Sequence, residues 1–183
     1  MPKISSYGTV TPSPSDRIIV SDADDSNATK NVTIGSLSSA TAPKSYIDAY
    51  DLATSTTTVL VTDTWYKLNA NFTLLIADGF AIHTNPTELI NTSGTTLLSK
   101  IVATITLNAG NNKTINAVLT NNTVQIPSSE QDVTTTGSGD DATITLVSIQ
   151  NILPSSLLAI EVKNVTNTTD ILCKHINYVV TSI

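Results

Sequence analysis

An all-β chain folded as an antiparallel β-sandwich is what the sequence predicts, on three observations. From Thr96 to Ile183 apolar and polar residues alternate at period two, as half-buried strands require. Ile101, Ala103, Ile105 and Leu107 fall on one face with Thr104 and Thr106 on the other. The same rhythm recurs in Ile115-Ala117-Leu119, Ala142-Ile144-Leu146 and Leu158-Ile160-Val162. These runs are cut by turn chemistry: Asn108 to Asn112, Asn121-Asn122, Gly137 to Asp141, and Asn164 to Asn167. Their Thr, Val and Ile content suits a pleated surface, and a helical period of 3.6 fits none of them.

In chain order, residues 1 to 43 show no sustained period and are rich in Ser, Thr, Pro and Asp, which predicts an extended arm. Pro12 and Pro14 each fix their own φ and push the preceding residue toward extended geometry, so Pro12 to Asp16 is not helix. Arg17-Ile18-Ile19-Val20-Ser21 reads as a short apolar strand, Asp22 to Lys30 as a polar turn, and Asn31-Val32-Thr33-Ile34-Gly35, closing at Leu37, as a second strand. An isolated two-stranded hairpin is marginal in water, so this element needs another surface to become ordered.

The sandwich itself is expected over residues 44 to 183. Tyr46 to Leu52 satisfies a strand and, with Pro43 ahead of it, also a first helical turn; the strand is preferred. Thr56 to Val61, Trp65 to Leu68, Phe72 to Leu75 and Phe80 to His83 are short β-branched or aromatic runs bounded by Asp63, Asn69-Ala70-Asn71, Asp78-Gly79 and Asn85-Pro86. With the later runs they amount to about eight to ten strands, the spacing of a sandwich.

Composition restricts function. The chain has 183 residues, 13% charged and 4% aromatic, with a net charge of -6. That acidic balance and the lack of basic patches argue against nucleic acid or an anionic membrane as partner. The longest apolar cluster, Leu74 to Ala77, is far too short to span a bilayer, and Met1 to Ser6 has no export-signal pattern, so synthesis in a cytoplasm is expected. One cysteine, Cys173, excludes an intrachain disulfide.

Sites of chemistry are scarce. Cys173 and His175, two apart on the last strand, would share a face, but no third group orients them into a nucleophilic dyad. Asp22, Asp24, Asp25 and Asn27 lack the glycine and distal acid of an EF-hand loop, so no metal is expected. Glu130, Asp140 and Asp141 read as turn residues rather than a glycosidase pair. Eight Asn-x-Ser/Thr triplets, beginning at Asn27, Asn31, Asn71, Asn91, Asn112, Asn121, Asn164 and Asn167, read as composition. Trp65 with Tyr66 has aromatic faces that suit a sugar ring, though packing in a core or interface is preferred. No catalytic residue, cofactor or metal emerges.

The order Tyr46-x-x-x-Tyr50-Asp51, Trp65-Tyr66, Asn91 to Gly94, Asn108 to Lys113, Ile126 to Glu130 and Ile176 to Val180 resembles TNF-like or complement-type jelly rolls of tailed-bacteriophage fibre and decoration proteins. Residues 4 to 37, with Pro14 to Asp22 followed by Thr29 to Ile34, resemble an anchor segment of phage head-fibre and related virion proteins. The resemblance implies a homotrimer of jelly rolls attached to the virion, at the head, through the arm. Its anchoring residues would be Pro12, Pro14, Asp16, Arg17, Ile18, Ile19, Val20, Val32, Ile34 and Leu37. Tyr46, Tyr50, Trp65, Tyr66, Ile171, Cys173, Ile176, Tyr178 and Val180 would form the trimer interface or the core. The alternative is a module of a tail fibre binding a receptor or host-surface glycan.

Overall fold

The structure, a computed structural model, describes residues 13, 15–22, 28–33, 45–137 and 140–183. The chain divides into two compact units, Met1–Ala42 and Pro43–Ile183. In the first, β1 (Arg17–Asp22) pairs antiparallel with β2 (Ala28–Thr33), setting Ile18 opposite Val32 and Val20 opposite Lys30. Strand pairing therefore extends over Asp22 and Ala28 to Lys30, which the sequence assigns to a turn. Asp16 precedes β1 in a small turn: the Ser13 N–H donates to Asp16 Oδ2 at 2.7 Å and the Asp16 N–H to the Ser13 carbonyl at 3.0 Å. Pro12, Pro14, Ile34 and Leu37 lie outside the described residues, as do Asp24, Asp25 and Asn27.

The second unit is an antiparallel β-sandwich, as the alternation predicts. One sheet runs β11 (Val124–Gln125), β10 (Lys113–Asn121), β14 (Leu157–Asn164), β8 (Leu89–Asn91), β7 (Phe80–Ile82), with β12 (Gln131–Thr135) on β10 and β5 (Tyr66–Lys67) on β14. The other runs β13 (Ala142–Ile152), β9 (Leu97–Asn108), β15 (Ile171–Ser182), β3 (Tyr46–Asp51), β6 (Thr73–Asp78), with β4 (Ser55–Thr57) also on β15. The inward residues of both sheets, among them Ile47, Ile101, Ile105, Leu119, Leu146, Leu158 and Val162, are fully buried in one core. Each such side chain contributes about 1.5–3 kcal/mol relative to exposure.

Several expectations are corrected. Val59, Leu60 and Val61 are not strand, because the Val59 N–H donates to Asp170 Oδ1 at 2.9 Å and the Val61 N–H to the Tyr66 hydroxyl at 2.8 Å, leaving no ladder to join. Strand β6 begins at Thr73 and extends through Asp78, beyond the Phe72 to Leu75 run that the sequence marks out. Gly79 alone separates β6 from β7, which belong to different sheets, so the chain crosses the sandwich edge there. Strands β8, β11 and β12 were not anticipated. The β10–β11 hairpin closes on Asn122 and Thr123, both at positive φ (51° and 66°), overlapping the Asn121-Asn122 pair that the sequence reads as a turn.

Candidate functional site: the outer face of the β13-β9-β15-β3-β6 sheet

The last strand decides what this sheet shows to the outside. Strict alternation would put Ile171 and Cys173 opposite Ile176, Tyr178 and Val180, making both faces of β15 apolar. A register shift between Cys173 and His175 undoes this: a β-bulge inserts one residue and turns both sets inward. Ile171, Cys173, Ile176, Tyr178 and Val180 are at most 1% exposed and belong to the core, not to an interface. The same bulge separates Cys173 from His175, whose ring is only half-buried, so they do not share a face.

Two sealed side chains carry the consequences. Burial, and then the nearby Asp51 carboxylate, push the Cys173 thiol up from its ordinary 9.0 to about 12, which keeps it protonated and unreactive. Tyr178 packs its ring against Phe72 at 5.8 Å between centroids, and its hydroxyl, raised in pKa by desolvation, has no hydrogen-bond partner among the described residues.

Turned outward are Leu172, Lys174, His175, Asn177, Val179 and Thr181 of β15, and the ladder aligns them with their neighbours. Val147, Val102, Val179, Asp48 and Ile76 form one rank across five strands. Thr145, Thr104, Asn177 and Tyr50 form the next, and Ile149, Lys100, Thr181 and Tyr46 lie on its other side. The polar members bond to one another: Asn177 Nδ2 donates to Asp48 Oδ1 at 3.0 Å, and the hydroxyls of Thr104 and Thr145 (3.2 Å) and of Thr106 and Thr143 (2.9 Å) pair across strands. Val147 and Ile149 are 46% and 57% exposed. Around the valine rank the amide, the carboxylate and two threonine pairs already hold partners, so that part of the face can be covered with those bonds intact, while Lys100, Lys174 and His175 add positive or titratable groups to the same face.

Of the residues expected at an interface, Tyr46 and Tyr50 stand half-buried on this face. Trp65 and Tyr66 do not: they sit at β5, on the opposite sheet. There the Tyr66 hydroxyl holds Val61, and Lys163 Nζ, ion-paired with Asp63 at 2.8 Å, lies 4.8 Å from the Trp65 ring centroid. Ile18, Ile19, Val20 and Arg17 are in β1 and Val32 in β2, in the first unit. Sequence reasoning missed Val102, Val147, Val179 and the Asn177–Asp48 pair as members of one surface. The available signal was valine at positions that the alternation assigns to the polar side.

Other candidate groups are structural. Glu130 accepts from Asn116 Nδ2 at 2.9 Å, and Asp141 from Asn108 Nδ2 at 3.2 Å. Glu88, 5% exposed, is ion-paired with Lys67 and lies 3.3 Å from His83 Nδ1, tying β5, β7 and the loop before β8. Among the described residues no group of three His, Cys, Asp or Glu side chains is placed to hold a metal ion. Asn91 and Asn164, two of the Asn-x-Ser/Thr triplets, are buried turn centres. Asn91 Nδ2 donates to the carbonyls of Thr95, Ile152 and Leu153, while its Oδ1 accepts from the Ser93 N–H and hydroxyl.

No family model and no curated protein matches the chain by sequence. Solved structures match by shape. Murine APRIL, in a crystal structure at pH 5.0, aligns with a TM-score of 0.51 at 5% identity, over 76% of this chain and 98% of its own. The PRD1 vertex protein P5 aligns at 0.43 with 13% identity, over 78% and 99%. The globular domain of the zebrafish complement 1qA protein aligns at 0.47 with 12% identity, over 76% and 97%. The second unit is a jelly roll of the TNF-like type, and at these identities the likeness is one of fold.

Proposed function

We propose that this chain is a non-enzymatic structural protein of a tailed-phage virion, a homotrimer of jelly rolls fixed to the particle, at its head, by residues 1 to 43. The observation that supports self-association most is the outer face around Val102, Val147, Val179, Tyr46 and Tyr50, where Asn177 and Asp48 are already bonded to each other. The count of three, the virion and the arm's role come from the sequence resemblance. The Cys173 thiol is buried and protonated, and Glu130 and Asp141 accept hydrogen bonds from Asn116 and Asn108, which supports a structural reading of these three candidates.

Attachment by the arm has a physical rationale. The β1–β2 hairpin brings Ile18 and Val32 together but holds too little apolar surface to be stable alone. Ordering such a segment on a partner costs about 2–5 kcal/mol, and three arms on one trimer recover this through avidity of about 10² or more. A variant lacking residues 1 to 43 is expected to remain a trimer yet fail to decorate particles devoid of the protein; undiminished occupancy would contradict the assignment. Glycan binding is the second reading. Lys163 takes one face of the Trp65 ring, and the feature that supports this reading is a neutral cleft between β11 and β13.

A further inference from the structure

At the sandwich edge, the β10–β11 hairpin and the 3-10 turn Pro127–Ser129 meet β13 around a cleft of about 380 Å³. That is within the range of sites that hold small organic molecules. Its lining holds no charged side chain. Three carboxamide residues (Asn121, Gln125, Gln150) and Ser128 line it, beside Val124, which is 67% exposed, and Pro127.

The amides are incompletely used. Gln125 Nε2 donates to Glu161 Oε2 at 2.7 Å and Gln150 Nε2 to the Ser148 hydroxyl at 3.2 Å, leaving one N–H and the oxygen of each without a partner among the described residues. Asn121 Nδ2 makes a long contact of 3.4 Å to the Asn151 carbonyl, and Asn121 Oδ1 is shut off from water with no donor among the described residues. A buried acceptor left unpaired costs about 1–3 kcal/mol, so the accessible polar atoms offered to a ligand are those of Gln125 and Gln150.

We propose that this cleft is a binding site for a neutral saccharide of one or two rings. A carboxamide both donates and accepts, as a sugar hydroxyl does, so Gln125 and Gln150 with Ser128 match a polyhydroxylated ring at several atoms. Val124 and Pro127 supply the apolar patch for its C–H face. A charged ligand meets no counter-ion in the lining, and the Glu161 carboxylate is already held by Gln125. The proposal deepens the glycan-binding reading and is independent of the trimer and its attachment.

The test is a titration of the intact protein, followed through side-chain amide signals in ¹H–¹⁵N spectra. The probes are maltose, lactose and N,N′-diacetylchitobiose, with glucuronate as the charged control. At least one neutral disaccharide is expected to shift the Gln125 and Gln150 amides saturably, with glucuronate weaker by about tenfold or more. Gln150→Ala and Ser128→Ala, both at partly or fully exposed positions, are each expected to weaken binding by about tenfold. Saturable binding that neither variant weakens would overturn this site while leaving glycan binding elsewhere on the protein. Absence of saturable shifts with all three disaccharides would overturn both, and equal binding of glucuronate would overturn the neutral class.

Discussion

Tyr178 is a large side chain wholly inside the core whose hydroxyl is unpaired among the described residues, so its ring stabilises and its oxygen does not. Tyr178→Phe is therefore expected to leave the melting point unchanged or raise stability by about 1 kcal/mol, whereas Tyr178→Asp, which buries a lone carboxylate, costs about 3–5 kcal/mol and the soluble fold. Denaturant unfolding of both variants checks the pair. Cys173 gives a pH prediction. Its folded pKa, about 12, lies above its ordinary 9.0, so its contribution to stability is fully present below pH 9 and is lost as pH rises toward 12. Native protein at pH 8 should resist alkylation by iodoacetamide, and unfolded protein should react within minutes. The sequence had singled out both residues but could not say which way they faced. A one-residue bulge reverses every side chain beyond it, and nothing in Cys173-Lys174-His175 announces one.

Elements were legible where they are long. The alternation in Ile101 to Leu107, Ile115 to Thr120, Ala142 to Val147 and Leu158 to Lys163 prescribes four strands, because period two lines up apolar residues on one face of a strand. The strands observed run a few residues further, Leu97–Asn108, Lys113–Asn121, Ala142–Ile152 and Leu157–Asn164. Short elements were less legible: β8 and β11 hold three and two residues, owe their strand geometry to the ladder they join and went unread, whereas β5 was announced by the Trp65–Leu68 run. The crossover at Gly79 shows the same dependence on tertiary context. Its φ is +72°, and a Cβ there would lie 2.2 Å from Ser45 Oγ and 2.8 Å from Ser45 Cβ, so Gly79→Ala strains both backbone and packing. A loss of about 2–4 kcal/mol is expected, read as an earlier urea midpoint. Asn91→Ala, which removes the centre of the turn after β8 and leaves the Ile152 carbonyl without its side-chain donor, should cost a similar amount. Runs of Asn-x-Ser/Thr had looked like mere composition; at Asn91 and Asn164 they encode the Asx turns that close the loops.

For the whole molecule, the outer face of the β13-β9-β15-β3-β6 sheet is the surface most ready to be covered, and its composition was visible only after the register was known. Val102, Val147 and Val179 are distant in sequence and become one rank through the β9 and β15 ladders. Val179→Asp places a carboxylate next to Asp48, its ladder partner, on a half-buried outward position, so the isolated fold should survive while association weakens by about 10²-fold or more. Circular dichroism separates the two effects. The most direct test of self-association through this face is the solution mass of the full chain by light scattering at micromolar concentration. The trimer requires three times the chain mass of 19.3 kDa for the wild type and a single chain mass for folded Val179→Asp; a wild-type mass of 19.3 kDa would contradict it.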